Sequence, residues 1–111
     1  MELKNIAFAI KALCYDVANS SLPISEKNAL KKLLDKLVDY YTSEYNNIMK
    51  SFNYGTHNYK LYELISKMTD YIVIINDTIH GKNDVYSVIN MIFNEINYDD
   101  KKGLFKRKRL I

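Results

Sequence analysis

The sequence predicts an all-α protein: a single-domain antiparallel four-helix bundle with a basic C-terminal tail. Three observations predict it. Apolar residues recur every three or four positions along most of the chain, the spacing that lines one face of an α-helix. The pattern breaks at a few places, marked by proline, glycine or clusters of short polar residues. Positive charge gathers at one end: the last eleven residues hold four lysines, both arginines and no acid, whereas residues 1–100 hold ten lysines against thirteen acids. At 111 residues the chain is one domain, divided into a bundle over 1–100 and a tail over 101–111.

The first helix follows from Leu3, Ile6, Ile10, Leu13 and Val17, which share a helical face. Asn19-Ser-Ser-Leu-Pro23 ends it, and Ser25 is expected to cap the second helix, because a serine hydroxyl accepts from a first-turn amide. That helix is the longest, with Leu30, Leu34, Leu37, Tyr41, Tyr45, Ile48 and Phe52 in its stripe and Leu33, Val38 and Met49 widening it. Asn53–Asn58, centred on Gly55, forms the next break and places His57 in a loop. The third helix repeats Leu61, Ile65, Met68, Ile72, Ile75 and Ile79. Tyr71–Ile75 has the β-branched content of a strand, but the helical spacing runs through it unbroken, so the helix is preferred. Gly81 ends this helix by tolerating positive φ, and Asn83 or Asp84 caps the fourth. The fourth helix buries Val85, Val88, Ile89, Ile92, Phe93 and Ile96, and Gly103 is expected to close it or the frayed turn after it. Short links make successive helices antiparallel neighbours. The ten tyrosines are expected at stripe edges, ring packed and hydroxyl wet.

Catalytic chemistry finds little support in the residue pattern. Cys14 lies beside Leu13 with no base at helical spacing and reads as a small buried hydrophobe. His80 sits at a helix C-terminus, where the dipole favours a cation. Two histidines and one cysteine far apart do not make a zinc site. Asp35 and Asp39 are surrounded by Lys31, Lys32 and Lys36, the pattern of a solvated face. Three scattered glycines make neither a phosphate loop nor a nucleophile elbow. The chain is therefore expected to be non-enzymatic, with no catalytic residue, metal or cofactor.

Partner binding is expected at the tail, with Leu104, Phe105, Lys106, Arg107, Lys108 and Arg109 as the candidate site. Such a segment suits phosphate, on nucleic acid or on a lipid surface, or an acidic protein. As a nucleic-acid arm its binding would be strongly salt-dependent. The apolar brackets Leu104-Phe105 and Leu110-Ile111 suit a membrane surface or the rim of a membrane protein, and could also tuck back on the bundle. A solvated end without a partner has the same composition. The body argues against a nucleic-acid reader, being net acidic with its lysines interleaved among acids. One cysteine excludes an internal disulfide, Met1-Glu-Leu-Lys4 is no signal peptide, and the longest apolar run is Tyr71–Ile75, so cytoplasmic residence is expected, close to a membrane.

Two stretches resemble the small cytoplasmic immunity proteins that protect producers of class IIa (pediocin-like) bacteriocins. One is Leu13-Cys-Tyr-Asp-Val17 through Ser20-Ser-Leu-Pro23 into Ala29-Leu-Lys-Lys-Leu-Leu34. The other is Gly103-Leu-Phe105 entering the tail, which is more basic here than the family pattern. The resemblance covers the chain in length and layout and implies a non-enzymatic protein that recognises the mannose phosphotransferase permease once bacteriocin has docked. It associates specificity with the C-terminal half. The alternative is a phage, viral or plasmid accessory protein that holds nucleic acid through the tail.

Overall fold

A computed structural model describes residues 3–50 and 57–109, with side chains described for 5–50 and 59–97. It is an all-α four-helix bundle made of α1 (Leu3–Asn19), α2 (Ile24–Lys50), α3 (His57–Ile79) and α4 (Val85–Arg109). The helices α2 and α3 form the central pair. Each packs against the other, and both α1 and α4 pack against this pair from its two flanks. Among the described residues α1 and α4 do not touch. A central helix must therefore bury a wider arc than a flanking one, and α2 does so with Leu30, Leu33, Leu34 and Leu37, all fully buried.

On α1, Ile6, Ile10, Leu13 and Val17 are buried as their spacing predicts. The stripe of α2 is narrower than expected at its rim: Val38 and Met49 are exposed and Tyr45 is half-buried, while Phe52 lies outside the described residues. On α3 the buried face is turned by about one residue, centred on Leu64, Met68, Tyr71 and Ile75, and Leu61, Ile65 and Ile72 are half-buried beside it. The reason is that α3 faces three helices, so its contact arc is centred between α1 and α4 rather than on the most aliphatic line. Thr78 joins that arc fully buried because its hydroxyl donates to the Ile74 carbonyl at 2.7 Å, leaving a valine-like surface outward. On α4 Val85, Val88, Ile89, Ile92 and Ile96 are buried and Phe93 is half-buried.

The helix ends follow local chemistry. The α2 helix begins directly after Pro23, whose carbonyl accepts from the Lys27 amide at 3.0 Å. Ser25 is thus inside the first turn instead of capping it. A proline at the entry needs no amide partner of its own and already has a helix-compatible φ. Gly81 has φ 82°, and the Gly81 and Lys82 amides fold back onto the Thr78 and Asp77 carbonyls at 3.1 and 3.0 Å, a paired turn that closes α3. Asp84 caps α4, accepting from the Ser87 amide and hydroxyl, both at 2.9 Å. His57, expected in a loop, opens α3. Gly103 does not end α4, which continues through it to Arg109. A glycine stops a helix when it takes positive φ, as Gly81 does; within helical φ it costs only about 1 kcal/mol relative to alanine. Good helix formers follow it, with cations at the end where the dipole favours them.

Of the eight tyrosines with described side chains, Tyr41 and Tyr71 are buried and Tyr40 and Tyr45 half-buried. Tyr15, Tyr59, Tyr62 and Tyr86 are exposed, so only part of the set sits at stripe edges. Tyr41 is 2% exposed, packs its ring at 6.2 Å from that of Tyr45, and has a hydroxyl without a hydrogen-bond partner. Burial, and then Tyr45, push its phenol pKa upward.

Two outcomes follow from these contacts. A buried hydroxyl without a partner carries a desolvation cost, so Tyr41→Phe should leave stability unchanged or raise it by up to about 1 kcal/mol in urea unfolding. A clear loss of stability would mean that the hydroxyl has a partner. The Asp84 carboxyl is held below its ordinary value of 3.8 by the Ser87 amide and then the Ser87 hydroxyl. Its contribution is present above pH 3.8 and is lost as pH falls through the lower native value, so the Tm difference between the native chain and Asp84→Ala should shrink on acidification below that point.

Candidate functional site

The basic segment expected to bind a partner lies on α4. Its backbone is helical through Lys101–Arg109, in line with the core-forming turns Val85–Ile96. The side chains of Leu104, Phe105, Lys106, Arg107, Lys108 and Arg109 lie outside the described residues, as do residues 110–111. The boundary expected at residue 100 falls inside a continuous helix.

Within the described residues, polar side chains meet along the seam where α2, α3 and α4 come together. Lys67 of α3 donates to the Tyr40 hydroxyl of α2 at 3.1 Å, with its ammonium 5.3 Å from the centre of the Tyr40 ring. One turn further along α3, the buried Tyr71 hydroxyl donates to Glu95 of α4. Lys67, Tyr71 and the core residues Leu64 and Met68 alternate at helical spacing, which is why one face of α3 supplies both packing and polar contacts. The Tyr71 phenol is pushed well above its ordinary range, first by burial and then by its bond to Glu95, with Lys67 opposing. It therefore holds its proton at neutral pH, and Tyr71 and Glu95 act as donor and acceptor in a clamp. A phenol held protonated in this way is not prepared as a nucleophile or base.

Beside the clamp, α2 and α3 enclose a groove of about 400 Å³ lined by Tyr40, Glu44, Asn47, Lys60, Glu63 and Lys67, with Ile48 and Leu64 at its floor. Its two lysines and two glutamates balance, and Tyr40, Glu44 and Lys67 are all engaged. A smaller hollow of about 190 Å³ lies between α2 and α4, where Ile96 and Asn97 approach Lys36, Asp39, Tyr40, Ser43 and Glu44. At one end of the bundle, Asp16, Asn19–Leu22 and Ile79–Gly81 line an open cleft of about 500 Å³. The α1–α2 and α3–α4 links thus share one end. The α1 end there is self-satisfied: Asn19 and Ser20 donate to the Tyr15 and Val17 carbonyls at 2.9 and 2.7 Å, and Lys27 donates to Ala18 at 3.2 Å.

Cys14 is half-buried against the core, and burial, then Asp35, push its thiol up against the smaller opposing effect of Lys31. That keeps it protonated and unreactive. His80 is exposed, with Nδ1 2.8 Å from the Asn76 carbonyl, tying the ring to the last turn of α3. Among the described residues no group of three His, Cys, Asp or Glu side chains could hold a metal ion, and no helix is long and apolar enough to cross a membrane. The seam residues Tyr40, Glu44, Lys67, Tyr71 and Glu95 were not singled out by sequence reasoning. The readable signal was Glu44, which falls on the stripe between Tyr41 and Ile48, where an apolar residue is expected. No family model, curated protein or solved structure matches the chain.

The Tyr71–Glu95 clamp is testable by a double-mutant cycle with Tyr71→Phe and Glu95→Gln, in which a coupling of about 1 kcal/mol is expected. Because the native phenol pKa is raised, its contribution is present below pH 10.0 and is lost as pH rises towards the native value. Alkaline unfolding of Tyr71→Phe should therefore lack this part of the destabilisation seen in the native chain, and identical alkaline profiles would remove the clamp.

Proposed function

We propose that this protein is a non-enzymatic cytoplasmic binding protein of the bacteriocin-immunity type, recognising a membrane permease engaged by bacteriocin at the inner leaflet. The observation that carries this reading is the continuity of α4. One 25-residue helix runs from core-forming turns into the basic segment, so Leu104–Arg109 is mounted on the bundle by helical backbone. A recognition element on a helix is held more firmly than one on a loose end, which lowers the ordering cost of binding. The neutral balance of the α2–α3 groove, the protonated Tyr71 and the raised Cys14 thiol also favour binding over catalysis. The two local resemblances to the immunity family point the same way.

The nucleic-acid reading rests on the same six terminal cations. The described helices favour it less, because exposed Lys31, Lys32 and Lys36 on α2 alternate with exposed Asp35 and Asp39 and make no basic face.

Expression in a strain sensitive to pediocin-like peptides should raise survival, and removal of residues 101–111 should abolish protection while cooperative unfolding is retained. Unchanged killing by every such peptide would sink the reading.

A further inference from the structure

The solvent face of α4 between Val85 and Asn97 carries almost no charge. It is built from the exposed Ser87, Asn90, Asn94 and Asn97, with Tyr86 and Met91 beside them at 47% and 40% exposure. Residues 85–97 hold one charged side chain, Glu95, and that carboxylate already accepts from the Tyr71 hydroxyl. By contrast, α2 has nine charged residues in its 27. An exposed helix face ordinarily collects lysine and glutamate, which are soluble and form helix well, whereas asparagine is among the weaker helix formers. Fold and solubility therefore do not account for this face. Its spacing is a second, independent observation. Ser87, Asn90, Asn94 and Asn97 follow one another at intervals of three, four and three residues, the seam spacing along which two helices pair. The core of the bundle does not use this row, because α4 packs inward through Val85, Val88, Ile89, Ile92 and Ile96.

We propose that this face pairs with α4 of a second copy of the chain, antiparallel and about a twofold axis. The proposal is independent of the immunity reading. In a twofold contact one patch meets itself, so a charge near the axis meets its own like. An uncharged face avoids that repulsion. A carboxamide both donates and accepts, which makes asparagine complementary to asparagine. The row then sets Asn90 opposite Asn94 of the other copy, and Ser87 opposite Asn97, on both sides of the axis. Met91 falls close to the axis and, with Tyr86, supplies apolar area, in keeping with the enrichment of both types and the depletion of charge at interface centres. Polar residues at seam positions fix register at the expense of affinity. The antiparallel sense follows from Asp84, the cap of α4: parallel helices would set two Asp84 carboxylates side by side, whereas antiparallel helices place them at opposite ends and oppose the two dipoles. The row spans about 15 Å of helix, so the contact is small and of the weak, transient class.

The test is sedimentation equilibrium of the full chain at rising concentration, where a monomer–dimer equilibrium is expected between about 10 μM and 1 mM. Two double variants probe the face: Asn90→Lys with Asn94→Lys, and Asn90→Asp with Asn94→Asp. Each sets like charges opposite one another on both sides of the axis and should weaken dimerisation roughly tenfold or more. Both positions are exposed, so each variant should keep its cooperative unfolding. Mixing the lysine and aspartate variants in equal amounts should restore association as a heterodimer, a result that general damage to α4 cannot give. A native chain that stays monomeric up to about 1 mM leaves the face to a different protein and overturns the proposal. Dimerisation unchanged in both variants, or no association when they are mixed, overturns it as well.

Discussion

The rest of this structure depends on the apolar contact between α2 and α3. Neither α1 nor α4 has the other as a neighbour among the described residues, so each is held only by what it buries against this central pair. The fully buried Leu30, Leu33, Leu34 and Leu37 on α2, with Met68 and Ile75 on α3, lie on the two helices against which both flanks pack. Burying a side chain of that size contributes about 1.5–3 kcal/mol. Loss of one of these contacts consequently weakens more than one helix pair, whereas loss of Ile6 on α1 or Ile92 on α4 weakens one flank.

Polar groups are placed where that central contact opens. Lys67 and Tyr40 join α2 to α3, and Tyr71 and Glu95 join α3 to α4, at the rim of the same core. Such contacts add modest net stability, but they are directional where leucine packing is not. A helix pair held only by leucines can slide or rotate with small cost. A phenol aimed at one carboxylate and an ammonium aimed at one phenol select a single register. The clamp thus fixes how α4 leaves the core, which matters because the turns that follow carry the cationic segment.

Much of this was legible in the chain. The spacing of Ile6, Ile10, Leu13 and Val17 identified both the helix and its buried face, because a flanking helix presents one narrow stripe. The same reasoning was displaced on α3, where three neighbours widen the arc and draw in Tyr71 and Thr78. Spacing reports period well and the direction of neighbours poorly. Gly81 and Gly103 show a related limit: the residue type is identical, and only the backbone around Gly81 takes positive φ. Lys67 looks like an ordinary surface charge until the helices are placed side by side. What makes it part of a seam is the Tyr40 hydroxyl on another helix, and no local pattern encodes that.

The stability of the end of α4 is where fold and charge meet. Twelve residues beyond Asn97 extend the helix by about 18 Å. Gly103 weakens this stretch, and the spacing of Lys102 to Lys106 and of Lys106 to Arg109 sets like charges one turn apart. Against this, Asp99 lies one turn before Lys102, and the terminal dipole favours the cations of the last turns. Each of these effects is worth a few tenths of a kcal/mol to about 1 kcal/mol, so they nearly cancel. The core-anchored turns before Asn97 supply the nucleus from which that helix extends at low cost.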